Sequence, residues 1–220
     1  LGANSTIFSA VGCDEVGSFI LGELKRENVN TEFVLELENW QSSFSSVLVD
    51  IDGDRQIVNY RKSLPENAIN SISNFPIYDA YLSDRRWSEA AIATLSLARK
   101  YKKPGILDAE APVSQHAVEI ASHVAFSMQG LRHFTNKDDL MASLKVIEND
   151  FNSWACATDG PNGVYFLEEG VLRNLPAPRI KAEDTLGAGD VWHGAFAVCL
   201  AEGKSEREAI KFSNLAAAIK

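Results

Sequence analysis

The sequence is short of every feature that would take it out of the ordinary globular class. Three cysteines, Cys13, Cys156 and Cys199, are scattered through 220 residues with no CxxC pair. That odd, spaced count excludes a disulfide framework and predicts reduced thiols in a cytoplasmic protein. Four histidines, His116, His123, His133 and His193, show no metal-ligand spacing, so no structural zinc site is expected. Positive charge is scarce too. The 21 Lys and Arg face 30 Asp and Glu, a net charge of −9, so no basic face is on offer to a nucleic acid. No apolar run approaches the ~20 residues of a membrane span, and no basic stretch followed by an apolar core marks a secretory signal. The start has no Met and the end runs out in mid-helix, which predicts flanking segments beyond 1–220.

What is present is a 45% apolar, 23% charged composition, typical of a globular domain. The length suits one large α/β domain, or a domain with a small appendage. Two textures follow one another. Up to about residue 60 the pattern is β-rich, with strands expected at 6–11, 32–37, 44–50 and 56–60. Asp50-Ile-Asp-Gly-Asp54 between the last two carries a hairpin signal. One helix is expected there, at about 15–28, capped by Asp14. After about residue 78 strand and helix alternate. Strands are predicted at 78–83, 105–107, 123–126 and 154–157, and helices at 88–102, 115–121 and 137–149. Such alternation means βαβ units and a parallel sheet flanked by helices on both faces. A hairpin, 164–168 and 171–175 turning at Gly170, leads to two last helices. The first starts near Gly189 and ends before Gly203; the second opens on the capping box Ser205-Glu-Arg-Glu208. Ligands bind outside the carboxyl ends of the strands in such sheets. Asp84, Arg85, Arg86, Asp108, Glu110, Ser127, Thr158 and Asp159 all fall just past expected strand ends.

Asp184-Thr-Leu-Gly-Ala-Gly-Asp190 is the motif that carries chemistry. Gly187 and Gly189 allow a tight turn that brings successive N–H groups to one side. A helix starts there, so its unpaired N–H groups and positive dipole end face the same spot. The result is an anion hole for phosphate oxygens. Asp190 beside it is placed to accept a proton from an attacking hydroxyl.

The seven-residue string resembles the signature of the ribokinase-like (PfkB) carbohydrate kinases. Two further segments resemble that family in order along the chain: Val11-Gly-Cys-Asp-Glu-Val-Gly17 its VGxDxxG segment, and Thr158-Asp-Gly-Pro-Asn-Gly163 its TxGxxG nucleotide loop. The resemblance covers essentially the whole chain. It implies a ribokinase-like fold with a small β-rich lid, here about 30–62, and an α/β nucleotide-binding core at about 76–220. It implies ATP and Mg²⁺ as cofactors, a monovalent cation as a candidate third, and a homodimer through the lid as a candidate assembly. Asp190 would be the catalytic base, with Gly187, Ala188 and Gly189 as the anion hole. Thr158, Gly160, Gly163, Thr185 and Asn214 would line the nucleotide site.

The family's NxxE magnesium-water motif is Ser127-Met-Gln-Gly130 here. Asp108 and Glu110 are the alternative candidates to organise Mg²⁺ through water, or they form a plain strand-end turn. The family's N-terminal Asp and Gly-Gly pair, which bind the sugar, are also missing from these residues. Asn59-Tyr-Arg-Lys-Ser-Leu-Pro65, Ser83-Asp-Arg-Arg-Trp87 and Ala125-Phe-Ser-Met-Gln-Gly-Leu131 resemble ketohexokinases and bacterial sulfofructose kinases. The acceptor implied is a ketose, with 6-deoxy-6-sulfofructose at C1 as the sharpest version. Arg86 and Asn59 would then hold an anionic head, whose tetrahedral oxygens suit a guanidinium fork, and Lys62 would reach the transferring phosphate. Trp192 and His193 are expected to pack the first helix turn. A fructokinase or ketohexokinase, a kinase of 2-keto-3-deoxygluconate or of a nucleoside, and an inactive nucleotide-binding regulatory module remain the alternatives.

Overall fold

The computed structural model describes residues 2–49, 55–64, 69, 75–181 and 185–220. The chain divides into two units, 2–73 and 74–220. In the first, β1 (Thr6–Gly12), α1 (Glu15–Arg26) and β2 (Asn30–Leu37) form a βαβ unit whose strands pair in parallel. Asp14 caps α1 as expected, accepting from the Gly17 N–H at 2.7 Å. The same carboxylate accepts from the Ser42 amide and hydroxyl at 2.8 and 2.7 Å, and the Ser42 hydroxyl accepts from the Gly12 N–H. The aspartate of the 11–17 segment is thus consumed in joining the end of β1 to the approach to the hairpin. That hairpin, β3 (Phe44–Val49) and β4 (Arg55–Tyr60), is antiparallel, with Phe44 stacked on Tyr60. Its expected Asp-Gly turn lies outside the described residues. Within the stretch 30–62, β2 pairs with β1 while β3 and β4 pair only with each other.

The second unit is a six-stranded sheet between two helical layers. Its elements are β5 (Tyr81–Ser83), α2 (Ser88–Tyr101), β6 (Gly105–Ala109), α3 (Gln115–Ile120), β7 (His123–Ser127), α4 (Met128–Thr135), α5 (Leu140–Phe151), β8 (Trp154–Thr158), β9 (Val164–Glu168), β10 (Val171–Leu175), α6 (Ala188–Ala201) and α7 (Glu206–Ile219). The order is β10-β9-β8-β7-β6-β5. The first four strands in sequence run parallel, and the 164–175 hairpin adds two antiparallel strands at one edge.

The alternation of side chains along each strand builds two cores. Leu107, Val124, Phe126, Ala155 and Leu167 face a layer that includes Leu95, Val118, Leu131, Leu144 and Ile147 from α2 to α5. Ile106, Ala125, Cys156 and Phe166 face Trp192, Phe196, Cys199 and Ile210 of α6 and α7. Neighbouring residues such as Ile106 and Leu107 serve opposite faces, which explains why these strands read as continuous apolar runs. α6 is small-residued and apolar all round because it is the inner helix of its layer. The capping box at Ser205 and Glu208 is present. Past α6, Gly203 takes a positive φ and Lys204 N–H bonds back to the Cys199 carbonyl.

Two element starts differ from expectation by three residues, and one helix is unexpected. β5 starts at Tyr81 rather than 78. α5 starts at Leu140 rather than 137, because Asp139 caps it by accepting from the Ala142 N–H. The helix α4 was not expected; an eight-residue run containing a glycine shows little helical period. Ser127 starts it by accepting from the Gly130 N–H at 3.0 Å, and Leu131 fastens it to the core.

Candidate active site

The start of α6 is built from backbone. Gly187 takes φ +77° at the N-cap position, a conformation that costs any residue with a Cβ about 1–2 kcal/mol. No side chain caps the helix. Val191 N–H reaches the Gly187 carbonyl at 3.0 Å, and Ala188 N–H makes a longer bond of 3.3 Å to the Thr185 carbonyl. The first-turn N–H groups therefore point out of the helix end without helical partners. A Cβ built on Gly189 would meet no atom within 4 Å, so the space before these groups is open. Asp190, exposed, stands in this first turn. Behind it the helix is anchored by Trp192, stacked on Phe196 with centroids 5.0 Å apart. An oxyanion is held well by such an uncapped, open end. Asp184, the first residue of the motif, lies outside the described residues.

The carboxyl end of β6 brings acidic groups to the same region. Asp108 Oδ1 lies 3.5 Å from His193 Nε2 of α6. The His193 Nδ1 is 2.8 Å from the Gly189 carbonyl. Burial raises the Asp108 pKa above the ordinary carboxylate value; the His193 charge opposes this, and Glu110, Asp84 and Asp190 add to it in that order. Glu110, Asp84 and Asp190 therefore lie near enough for their charge to act on Asp108. Glu110 pairs with Arg86 at 3.2 Å, and Arg86 N–H donates to Asp84 in the turn after β5. Among the described residues, no three His, Cys, Asp or Glu side chains are grouped to hold a metal ion directly.

The 158–163 loop is rigid at one end and open at the other. Thr158 donates its hydroxyl to the Phe126 carbonyl at 3.2 Å, so that side chain ties β8 to β7. Gly163 takes φ +87°, and a Cβ there would collide with the Leu175 carbonyl; no other residue fits. Gly160 faces open space. Asn214 is 6% exposed. It accepts from the Trp192 indole N–H at 2.9 Å and donates to the Leu175 and Pro176 carbonyls at 3.0 and 3.2 Å. Its carboxamide is committed to the framework, joining α6 and α7 to the carbonyls after β10.

Position 130 has no room for the glutamate of an NxxE motif. A Cβ on Gly130 would run into the Ala109 carbonyl, so α4 packs against the end of β6 where the family motif would project. Asn59 and Lys62 belong to the first unit. Asn59 accepts from Ser45 across the hairpin, and Lys62 donates to the Asn39 carbonyl at 3.4 Å. His193, expected only to pack, has polar contacts to Gly189 and Asp108 as well. The signal was its spacing, four residues after Gly189, which places its side chain over that carbonyl.

Known proteins resemble this chain along its length. A ribokinase of Bacillus subtilis is 25% identical over 226 residues, covering 100% of this chain and 75% of its own. A fructokinase of Zea mays is 25% identical over 256 residues, covering 100% and 74%. The solved structure of Arabidopsis thaliana ribokinase complexed with ribose and ATP superposes with a TM-score of 0.78 at 18% identity, covering 98% and 75%; it shows the shared fold. The model of the pfkB family carbohydrate kinases matches residues 1–220, and the chain belongs to that family of phosphotransferases.

Proposed function

We propose that the protein transfers the γ-phosphate of ATP to a hydroxyl of a small ketose. The observation that carries this reading is the uncapped start of α6, open in front of Gly189, with Asp190 in its first turn. Asp190 takes the proton of the acceptor hydroxyl as its oxygen bonds to Pγ and the bond from Pγ to the bridging oxygen breaks. The N–H groups of Gly189 and Asp190 face the phosphate oxygens, joined by that of Ala188 when it gives up its long bond to Thr185. On the nucleotide side the loop from Thr158 to Gly163, with Gly160 open, and Thr185 before the helix lie along the ATP chain.

Mg²⁺ arriving with ATP is held chiefly by phosphate oxygens and water, and it keeps several of those waters. Asp108 and Glu110 fit that role, as acidic groups at the sheet edge with no closed protein cage around them. When bound, the ion neutralises charge on the β- and γ-phosphates.

The ketose C1 hydroxyl is the proposed acceptor, and a C6 sulfonate is its most specific form. Arg86 supports that form. Its pair with Glu110 is exposed on both sides and holds by at most about 1 kcal/mol, so an anionic head displaces the carboxylate at little cost. The apolar side chains exposed on β3 and β4, among them Phe44, Leu48, Val49, Ile57 and Val58, support a homodimer through this hairpin, and reduced thiols and ATP use fit a cytoplasmic protein.

The deciding assay is ADP release from Mg-ATP with fructose, 6-deoxy-6-sulfofructose and ribose in parallel. Asp190→Asn is expected to lower kcat by about 10²–10⁴ while ATP binding by calorimetry stays within a few-fold of wild type. Near-normal turnover by this variant refutes the base assignment. ATP binding with no turnover on any sugar identifies the regulatory module instead.

A further inference from the structure

An open phosphate cradle at a helix start raises a mechanical problem. Gly187 and Gly189 have more backbone freedom than any other residue type. The usual remedy, a capping side chain at the N-cap, is absent here because the N-cap is Gly187. A first turn with two glycines and no cap frays, yet the donors and the base must hold their places to well under 1 Å.

The side chain that meets this need comes from inside the helix. The Gly189 carbonyl accepts the N–H of His193 as a helical bond. The His193 ring lies over the same oxygen, with Nδ1 at 2.8 Å. A carbonyl can only accept, so Nδ1 carries the hydrogen. The far ring nitrogen makes no hydrogen bond among the described residues; it lies 3.5 Å from Asp108 on β6 and attracts that carboxylate only when the ring is protonated. The side chain is 9% exposed and lies edge-on to Trp192, with centroids 5.2 Å apart, so the ring has little freedom to turn. One buried imidazole thus lies between the glycine turn of α6 and the carboxyl end of β6, the strand beside the edge strand β5.

We propose that His193 is a positioning residue for phosphoryl transfer: its buried ring donates to the Gly189 carbonyl and so holds the 187–190 turn against the inner side of α6. This rests on the reading of that turn as the phosphate cradle. The side chain does not touch substrate; it acts through Gly189 and Asp190. Its two contacts are separable. Asn at 193 keeps a donor at the Nδ1 position for the Gly189 carbonyl and loses the reach to Asp108. Phe keeps the ring and its packing and loses both.

The test uses the whole chain and two readouts. In His193→Phe, hydrogen exchange of the Val191 and Trp192 amides, the first that are bonded within the helix, is expected to rise at least tenfold while the amides of 197–200 are unchanged. In the kinase assay kcat falls about 10²-fold with the sugar KM within threefold. His193→Asn restores exchange protection and most of kcat. Wild-type exchange at 191 and 192 in the Phe variant overturns the proposal whatever the activity. A uniform rise over all of α6, with kcat falling only as the folded fraction falls, overturns it too by showing a plain packing role. Asp190→Asn keeps the two ideas apart. If that variant remains active, the cradle reading fails; if it is dead and His193→Phe has wild-type kcat, only the clamp fails.

Discussion

Gly189→Ala separates the stability of the α6 turn from its chemistry. Residue 189 lies within the helix without a positive φ, and a Cβ there meets no atom within 4 Å. Nothing in the fold opposes the methyl group. Replacing a helical glycine by alanine stabilises by about 0.4–1 kcal/mol, mostly by restricting the unfolded chain. For a protein of this size that raises Tm by about 1–4 °C. The same methyl group stands in the space before the first-turn N–H groups, where a phosphate oxygen must approach to hydrogen-bond distance. Loss of one such donor costs about 10²–10³ in kcat, and the variant should lose at least 10². Gly187→Ala gives the opposite pairing. Its φ of +77° makes a Cβ cost about 1–2 kcal/mol, so Tm should fall by about 2–8 °C. Thermal melts monitored by circular dichroism and an ADP-release assay decide the matter. A Gly189→Ala protein that keeps full activity refutes the phosphate cradle, and one that melts below wild type refutes the open geometry.

Three further outcomes are expected. Asn214→Ala leaves the Trp192 indole N–H and the Leu175 and Pro176 carbonyls without their partner; each buried group left unpaired costs about 1–3 kcal/mol. Urea unfolding should therefore show a loss of about 2–4 kcal/mol, together with a raised KM for ATP, and a loss below 1 kcal/mol would contradict the framework role. Arg86→Ala should lower kcat/KM for sulfofructose about 10–100-fold and change fructose little; equal effects on both sugars would place the guanidinium outside the acceptor site. Burial holds the His123 pKa below its ordinary 6.5, against the opposing pull of Glu206. The unfolded chain then takes up the proton first as pH falls, so stability present above pH 6.5 is lost on acidification through the folded pKa. The urea midpoint should drop between pH 7.5 and 5, and His123→Phe should flatten that drop; an unchanged slope would mean that other groups cause it.

The parts of this protein legible in its sequence are those whose physics is local. Strand and helix alternate with periods readable within ten residues. The caps at Asp14 and Ser205 act on N–H groups two or three positions away. The Gly187 turn and Asp190 share one helical turn, so an uncapped helix start with a carboxylate in its first turn is legible from spacing alone. The short helix α4 escaped because eight residues hold little more than two turns, too few for a period to emerge. Everything that depends on which side chains meet across elements was decided by the tertiary structure. His193 meets Asp108 because α6 lies on the sheet face opposite α2 to α5, above the end of β6. Asn214, which the family likeness put at the nucleotide, was drawn into the interior by the indole of Trp192 and the carbonyls after β10. Gly130 excludes a glutamate because the Ala109 carbonyl occupies the space its Cβ would need. Sheet order and register bring these partners together from distant parts of the chain, and neither follows from spacing along the sequence; a shift of one residue in a strand would turn each to the other face.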